Sequence, residues 1–316
     1  MARYLARRVA QGVFVLWAAF TASFVILYLL PSDPVEIMLA STGSMGELDP
    51  AAVAALRAEY HLDDPFYVQY GIALGRFARG DFGTSIPQRV PVTQLIGEAF
   101  PETLRLAAAA FALALLLGGG TALLAGLLRG GWARRLLLSL PPLLVSVPSF
   151  WAGLILLQIF SFRLGWFPAI GNQGAGSVVL PAVTLALPTA AVIAQVLAKS
   201  LLSTWREPFV VTARAKGGSR PGILFRDVLR HASLPGFTLV GMTVGNLLAG
   251  AIVVETVFSR LGVGRLVEEA VSAQDIPMIQ GLVVLSALVF VVVNLAVDLV
   301  YPLLDPRIRP SRAVRA

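Results

Sequence analysis

Six long apolar stretches alternate with polar ones along the chain: Val9–Leu30, Thr103–Leu128, Leu136–Phe160, Val178–Leu202, Gly236–Phe258 and Met278–Tyr301. At a rise of about 1.5 Å per residue, each is long enough as a helix to cross a hydrocarbon layer of about 30 Å. The first stretch raises the alternative of a cleaved signal peptide, whose apolar core is about 7–15 residues followed by a small-residue cleavage site. Val9–Leu30 is longer and ends at Pro31-Ser32-Asp33-Pro34. It is expected to be a retained anchor. Pro141, Pro142 and Pro148 predict a kink or break in the first half of the third stretch, with Ser146 and Ser149 placed to satisfy freed carbonyls. The fourth stretch carries Pro181, Pro188 and Gln195.

The polar segments carry their own signals. Within Ser32–Phe100, Asp49-Pro50 and Asp64-Pro65 each read as a helix start, with the carboxylate at N-cap and the proline at N1. Gly80 is placed to close the second of these helices in the left-handed conformation, and Pro87 and Pro91 mark turns. Tyr60, Phe66, Tyr67, Tyr70, Phe77 and Phe82 give the section an amphipathic character. That row reads either as local packing under a cap or as a docking face for an external partner.

Composition turns the pattern into a protein class. Hydrophobic residues are 57% of the chain and charged ones only 14%, against about 25% in soluble domains. With a mean hydropathy of +0.78, this is an integral membrane protein. The net charge of +7 does not point to nucleic acid, because Lys and Arg accumulate on the cytoplasmic side of membrane proteins. There are no cysteines, which excludes disulfides and thiolate metal sites. Six spans place both termini on one side. That side receives most of the 25 Lys and Arg, in Met1–Arg8, Arg129–Arg135, Lys199–Arg230 and Arg307–Arg315. Both termini are therefore expected in the cytoplasm, with Ser32–Phe100 outside.

One cytoplasmic segment is patterned rather than merely polar: Glu207–Pro235, EPFVVTARAKGGSRPGILFRDVLRHASLP. Pro208 suits a first helical turn, and Gly217 can end that helix at positive φ. Ser219 can cap a second helix, on which Arg226 and Arg230 share a face. A compact helix–turn–helix is expected. Thr212, Ala213, Ala215 and Gly217, small residues close together, allow a close fit to another surface. Gly241-x-x-x-Gly245 in the fifth stretch is a small-residue helix-packing pattern, and polar groups at membrane depth face interiors or cavities. Gln195, Asn246 and Glu255 are on that ground the translocation-pathway candidates. Asn294 and Asp298 rank behind them, and Glu255 has the alternative role of capping and pairing with Arg260.

The segment TARAKG, followed by the proline of SLP, resembles the cytoplasmic EAA loop of ABC importer permeases of the dipeptide, oligopeptide, nickel and glutathione branch. Further motifs of that branch occur in order. They are PSDP (31–34), GDFGTS (80–85), PET (101–103), VPSF (147–150), E-x-V-F (255–258), GVGRL (262–266) and VDLVYPLLDPRIR (297–309). The chain departs from the branch at Pro208-Phe209, at Gly218, Pro221 and Gly222, at Asp227 and His231, and at Leu261, where a proline commonly stands.

The resemblance implies an all-α membrane protein of six transmembrane helices, like type I ABC importer permeases, with a helical extracytoplasmic section after the first span. Its parts would be 1–30, a cytoplasmic head and first helix; 31–100, the extracytoplasmic section; 101–302, the five-span core with its coupling loop 207–235; and 303–316, a basic tail. It implies ATPase coupling through Phe209, Thr212, Ala213, Arg214, Ala215, Lys216 and Gly217. No G-x-x-x-x-G-K-[ST] phosphate loop occurs, so the chain is not expected to bind nucleotide itself. With no metal-ligand cluster and no nucleophile–base pair in the sequence, it is expected to have no cofactor, no metal and no catalytic residue of its own. ATP would bind two cytoplasmic ATPase partners, beside a second related permease and an extracytoplasmic solute-binding protein, in the cell membrane. Di- or oligopeptides are the expected cargo, with nickel, glutathione or another small solute as alternatives. An ion-driven secondary carrier would show internal repeats and buried ionisable pairs near the midplane, which are not evident. A non-transporting scaffold would leave the ordered motifs unexplained.

Overall fold

A computed structural model of the chain describes residues 2–29 and 64–304. The expected Asp49-Pro50 helix start, Tyr60 and the basic tail lie outside these residues. The described chain is helical, and its β pairing is confined to one isolated bridge, Thr84–Pro91. In order the helices are α1 (Ala2–Leu29), α2 (Phe66–Ala78), α3 (Val92–Leu127), α4 (Trp132–Ser146) and α5 (Ser149–Leu156), which runs on as a π-helical turn over Leu157–Arg163. A 3-10 turn at Ala175–Val178 leads into α6 (Val179–Thr204). Then come α7 (Pro208–Ala215), α8 (Arg220–Ile223), a π turn at Leu224–Val228, α9 (Leu229–Ala232), α10 (Leu234–Val257), α11 (Val263–Ser272) and α12 (Ile276–Leu304).

Among the described residues, four stretches are long and apolar enough to cross a membrane: Ala6–Leu27, Val92–Leu127, Ala175–Thr204 and Ile276–Ala296. The third expected span is broken into Trp132–Ser146 and Ser149–Arg163, which meet at 101° and make a fifth crossing only if taken as one. The break falls at Val147-Pro148, not at Pro141-Pro142. Proline disfavours helical backbone in the residue before it, and Val147 is extended at φ −88°, ψ 122°. Pro141 and Pro142 stay inside α4, and the Ser146 hydroxyl donates to the Pro142 carbonyl at 2.9 Å. α10, of 24 residues, is the remaining long apolar helix. α3 starts well before the expected Thr103 and carries Pro101 inside it. α2 begins at Phe66 with Pro65, rather than Asp64, at N-cap, because Pro65 is extended at ψ 144°.

Among the described residues, those up to Pro101 with Arg265–Leu299 form one compact unit, and Glu102–Gly264 with those from Val300 on form another. In the first, Phe77 of α2 stacks on Phe20 of α1 at 4.8 Å, Tyr70 meets Phe24 edge-on at 5.4 Å, and Phe66 meets Phe24 at 5.6 Å. The hydroxyls of Thr21 and Tyr70 are 2.8 Å apart. Phe66, Tyr70 and Phe77 of the aromatic row thus pack locally onto α1, and Tyr67 remains exposed. Gly80, at φ +77°, closes α2: the Asp81 N–H donates to the Arg76 carbonyl at 3.0 Å and that of Gly80 to Phe77 at 2.9 Å.

The second unit is organised on α6, against which α4, α5, α9 and α10 pack. Ala182, Ala186, Ala190, Ala194 and Ala198 recur every fourth residue on α6, and all are buried. Small side chains on one ridge let neighbouring backbones come close, which supplies van der Waals contact where no hydrophobic effect drives helices together. A Cβ at Gly118 of α3 would stand 2.5 Å from the Ala190 carbonyl oxygen. Gly118→Ala is therefore expected to cost about 1–3 kcal/mol by overpacking. Gly119→Ala, whose Cβ meets nothing within 4 Å, is expected to be neutral or stabilising. Thermal melts of the two variants in detergent, followed by size-exclusion chromatography, check the contrast.

Candidate functional site

Glu207–Pro235 folds as a compact helical unit because each of its turns is chemically closed. Glu207 is extended and Pro208 occupies the first turn of α7. Gly217 takes φ +83°, its N–H donates to the Arg214 carbonyl at 2.9 Å, and the Gly218 N–H reaches back to Ala213 at 3.1 Å. This is a Schellman C-terminus. Gly218, unusual for the branch, has a physical reason: a Cβ there would lie 2.9 Å from the Ala213 carbonyl oxygen and 3.0 Å from Ile223 Cγ1. Ser219 caps α8 by accepting the Gly222 N–H at 3.3 Å.

The unit is anchored to the ends of α3 and α6. Val210 is fully buried with Ile223, Leu224, Val228 and Ala232 against Ala122, Ala198 and Leu201, and Phe209 and Ala213 pack on the same cluster. Arg220 Nη2 donates to the carbonyls of Gly126 and Leu128, at 3.0 and 3.1 Å, and so satisfies orphan acceptors at the end of α3. Its guanidinium lies 4.6 Å over the Trp205 ring, and that of Arg214 lies 5.3 Å from the same ring. Burial, and then the charges of Arg214, Arg129 and Arg134, draw the Arg220 pKa below the ordinary arginine value.

The expected coupling residues divide between two faces. Phe209 and Ala213 point inward, Phe209 with its ring 4.9 Å from that of His231, while Thr212, Arg214, Ala215, Lys216 and Gly217 are exposed. Sequence reasoning missed Val211, 64% exposed on the outer face, although its helical spacing from Ala215 would have placed it there. It also missed Trp205 and Arg220, whose pairing across sequence no local pattern announces.

The pathway candidates are not brought together. Glu255 is fully buried at the end of α10. Its Oε1 accepts the Thr103 hydroxyl and its Oε2 the Gly264 N–H, both at 2.7 Å, and the Val263 N–H donates to Thr103 Oγ1 at 2.8 Å. A Cβ at Gly262 or Gly264 would overlap this carboxylate, which explains the Gly-x-Gly. Arg260, also buried, donates to the Ser177 carbonyl at 2.9 Å and ion-pairs with Glu102 at 3.3 Å. Asn246 is exposed on α10. Gln195, exposed on α6, lines a cleft of about 520 Å3 with Thr121, Pro141, Pro142, Lys199 and Arg206. In the first unit, Asp275 is a buried group that sequence reasoning passed over. It accepts the Ser85 hydroxyl at 2.5 Å and the Met278 N–H at 3.3 Å. Asp-Ile-Pro ahead of an apolar run was a legible helix-start signal.

A chain of apolar helices with an alanine-ridged centre and a separately closed polar helical unit on its helix ends is a membrane transport subunit. It belongs to the family of binding-protein-dependent transport system inner membrane components: residues 114–310 match the family model of that description, and residues 1–107 match the model of its N-terminal region. Among curated relatives, the glutathione transport system permease proteins GsiC of Salmonella typhimurium (strain LT2) and Escherichia coli (strain K12) are 35% and 33% identical over 309 residues, covering 98% of this chain and 99% of theirs. Two solved structures of the MetNI methionine ABC transporter in inward facing conformations superpose with TM-scores of 0.57 and 0.55 at 18% identity, over 67% of this chain and 97% of theirs. They share the fold. The protein is a permease subunit of an ABC importer in the inner membrane and not an enzyme, which sets aside the ion-driven carrier and the scaffold.

The closed turn gives a test of the loop geometry. Gly218→Ala is expected to open the α7–α8 turn and raise amide exchange over 213–223, whereas Gly217→Asn, a residue that tolerates positive φ, leaves exchange near wild type. Hydrogen exchange read by mass spectrometry distinguishes the two.

Proposed function

We propose that this permease takes up short peptides of the size of glutathione, and that α7 is the element through which a separate ATPase drives it. The observation that carries the reading is the two-faced α7. Val210, Phe209 and Ala213 are packed onto the ends of α3 and α6, while Val211, Thr212 and Ala215 present a small, uncovered outer surface. A groove on a partner closing over that surface would move α3 and α6 with it, since Arg220 ties the unit to the α3 carbonyls. The chain has no phosphate loop, so nucleotide binds the partner. Two such ATPases, a second related permease and an extracytoplasmic solute-binding protein complete the importer.

In this reading α1, α3, the bent pair α4–α5, α6, α10 and α12 supply six spans, with both termini and α7 in the cytoplasm. The basic clusters support that orientation. Asn246 and Gln195 face the pathway, and Glu255 holds its rim through Thr103 and Gly264. The glutathione alternative is favoured over nickel and over longer peptides by the GsiC relatives, whose match runs nearly end to end.

Ala215→Trp is expected to leave the protein in the membrane and ATP hydrolysis running, but to abolish uptake. Ala213→Trp, on the inward face, is expected to lower the amount of folded protein instead. Normal uptake by Ala215→Trp would remove α7 as the coupling element. For cargo, the complete importer in proteoliposomes is expected to concentrate labelled glutathione with ATP and to leave nickel outside; nickel uptake would reverse the assignment.

A further inference from the structure

The cleft beside Gln195 holds groups that the coupling mechanism does not use. Gln195, Lys199 and Ser203 follow one face of α6 along its wall, and Arg206 lines it from the turn just beyond the helix. Among the described residues, no hydrogen bond or ion pair within the protein engages the side chains of Gln195, Lys199 and Arg206. The Thr121 and Ser203 hydroxyls donate to their own helices instead, at 2.7 Å to Leu117 and 2.9 Å to Ser200. The facing wall is α4 at its double proline. Pro141 and Pro142 have no N–H, so the Leu138 carbonyl lacks a helical donor at both i+3 and i+4, and the Leu137 carbonyl lacks its i+4 donor. Uncommitted cationic donors thus stand on one wall, and the residues whose carbonyls lack their usual helical donors line the other. The volume falls within the range of about 300–1,000 Å3 that small-ligand sites occupy.

We infer that this cleft is a cargo subsite for the carboxylate end of a short peptide. Lys199 and Arg206 take the carboxylate, Gln195 bonds the adjoining amide, and the acceptor wall of α4 takes a peptide N–H. The positive-inside rule explains cations at this end of α6, but not their convergence with Gln195 on a cavity. The site also has a mechanical consequence. Ala198 and Leu138 line the cleft and pack in the cluster that carries α7, so an occupant presses on the seat of the coupling helix. The inference rests on the reading of the protein as a peptide importer.

The binding test uses the permease pair with its two ATPases, without the solute-binding protein, in phosphatidylcholine nanodiscs, with glutathione and glutathione amidated at its glycine end as probes. Glutathione is expected to bind the wild type. Amidation, or the double change Lys199→Gln with Arg206→Gln, is expected to weaken binding by about tenfold or more, the loss of a charge-assisted bond. Arg163→Gln, outside the cleft, is expected to bind as wild type. Equal binding of the amidated probe, wild-type binding by the double variant, or no binding by an importer that does take up glutathione would overturn the subsite. So would a double variant that loses co-purifying phosphatidylglycerol while its peptide binding is unchanged, which would make the cleft a lipid site. Uptake by the complete importer, with its solute-binding protein, in proteoliposomes separates the two levels: if the wild type imports no peptide, the importer reading itself fails. If the double variant imports glutathione with unchanged KM, only the subsite fails.

Discussion

Close approach of helices to α6 is the constraint on which the second unit depends. In a bilayer, packing must come from van der Waals contact, and the alanines recurring every fourth residue from Ala182 to Ala198 make that contact possible. Gly118 lets α3 come to the Ala190 carbonyl, and Gly250 leaves room for Leu185. The same ridge ends at Ala198, where its last small residue serves both the floor of the cleft and the cluster under α7. The cleft, the seat of α7 and the helix packing therefore share atoms rather than occupying separate regions.

The polar groups follow a second rule: among the described residues, each buried charge is held by backbone and hydroxyl partners. Glu255 is held by a hydroxyl and a glycine amide, Arg260 by the Ser177 carbonyl with Glu102 beside it, and Asp275 by the Ser85 hydroxyl and the Met278 N–H, while the half-buried Arg220 is held by two carbonyls at the end of α3. Burying a charge without such partners would cost several kcal/mol. Glycines at 218, 262 and 264 are the steric counterpart, since a Cβ at any of them would collide with the group that its turn encloses. The family motif around GVGRL is, in these terms, a tight cage for one carboxylate.

The cleft and α7 both present uncommitted polar groups, and both sit on the same cluster. α7 offers small residues outward for a protein surface. The cleft offers unpaired donors inward, opposite an acceptor wall that the proline pair creates. With cargo in the cleft and an ATPase on α7, as proposed above, the shared seat at Ala198 and Leu138 supplies a route of ordinary packing between them.

Much of the local structure was legible in the sequence, because it is set by neighbours in the chain. Pro208 at the first turn of α7, Gly217 at positive φ, Ser219 as a cap, Gly80 closing α2 and the apolar lengths of the helices follow from backbone chemistry within a few residues. The ordered motifs carried the family. Only the tertiary structure decided that the break in the third apolar stretch falls at Val147-Pro148, that α3 begins at Val92, and that Ala213 faces inward while Val211 faces out. It alone joined Glu255 to Thr103, Arg220 to the end of α3, and Gln195 to Lys199 and Arg206 over one cleft. Partners so far apart in sequence, or so dependent on which face a helix turns to its neighbour, leave no local pattern, because the interaction that selects them exists only once the helices have packed.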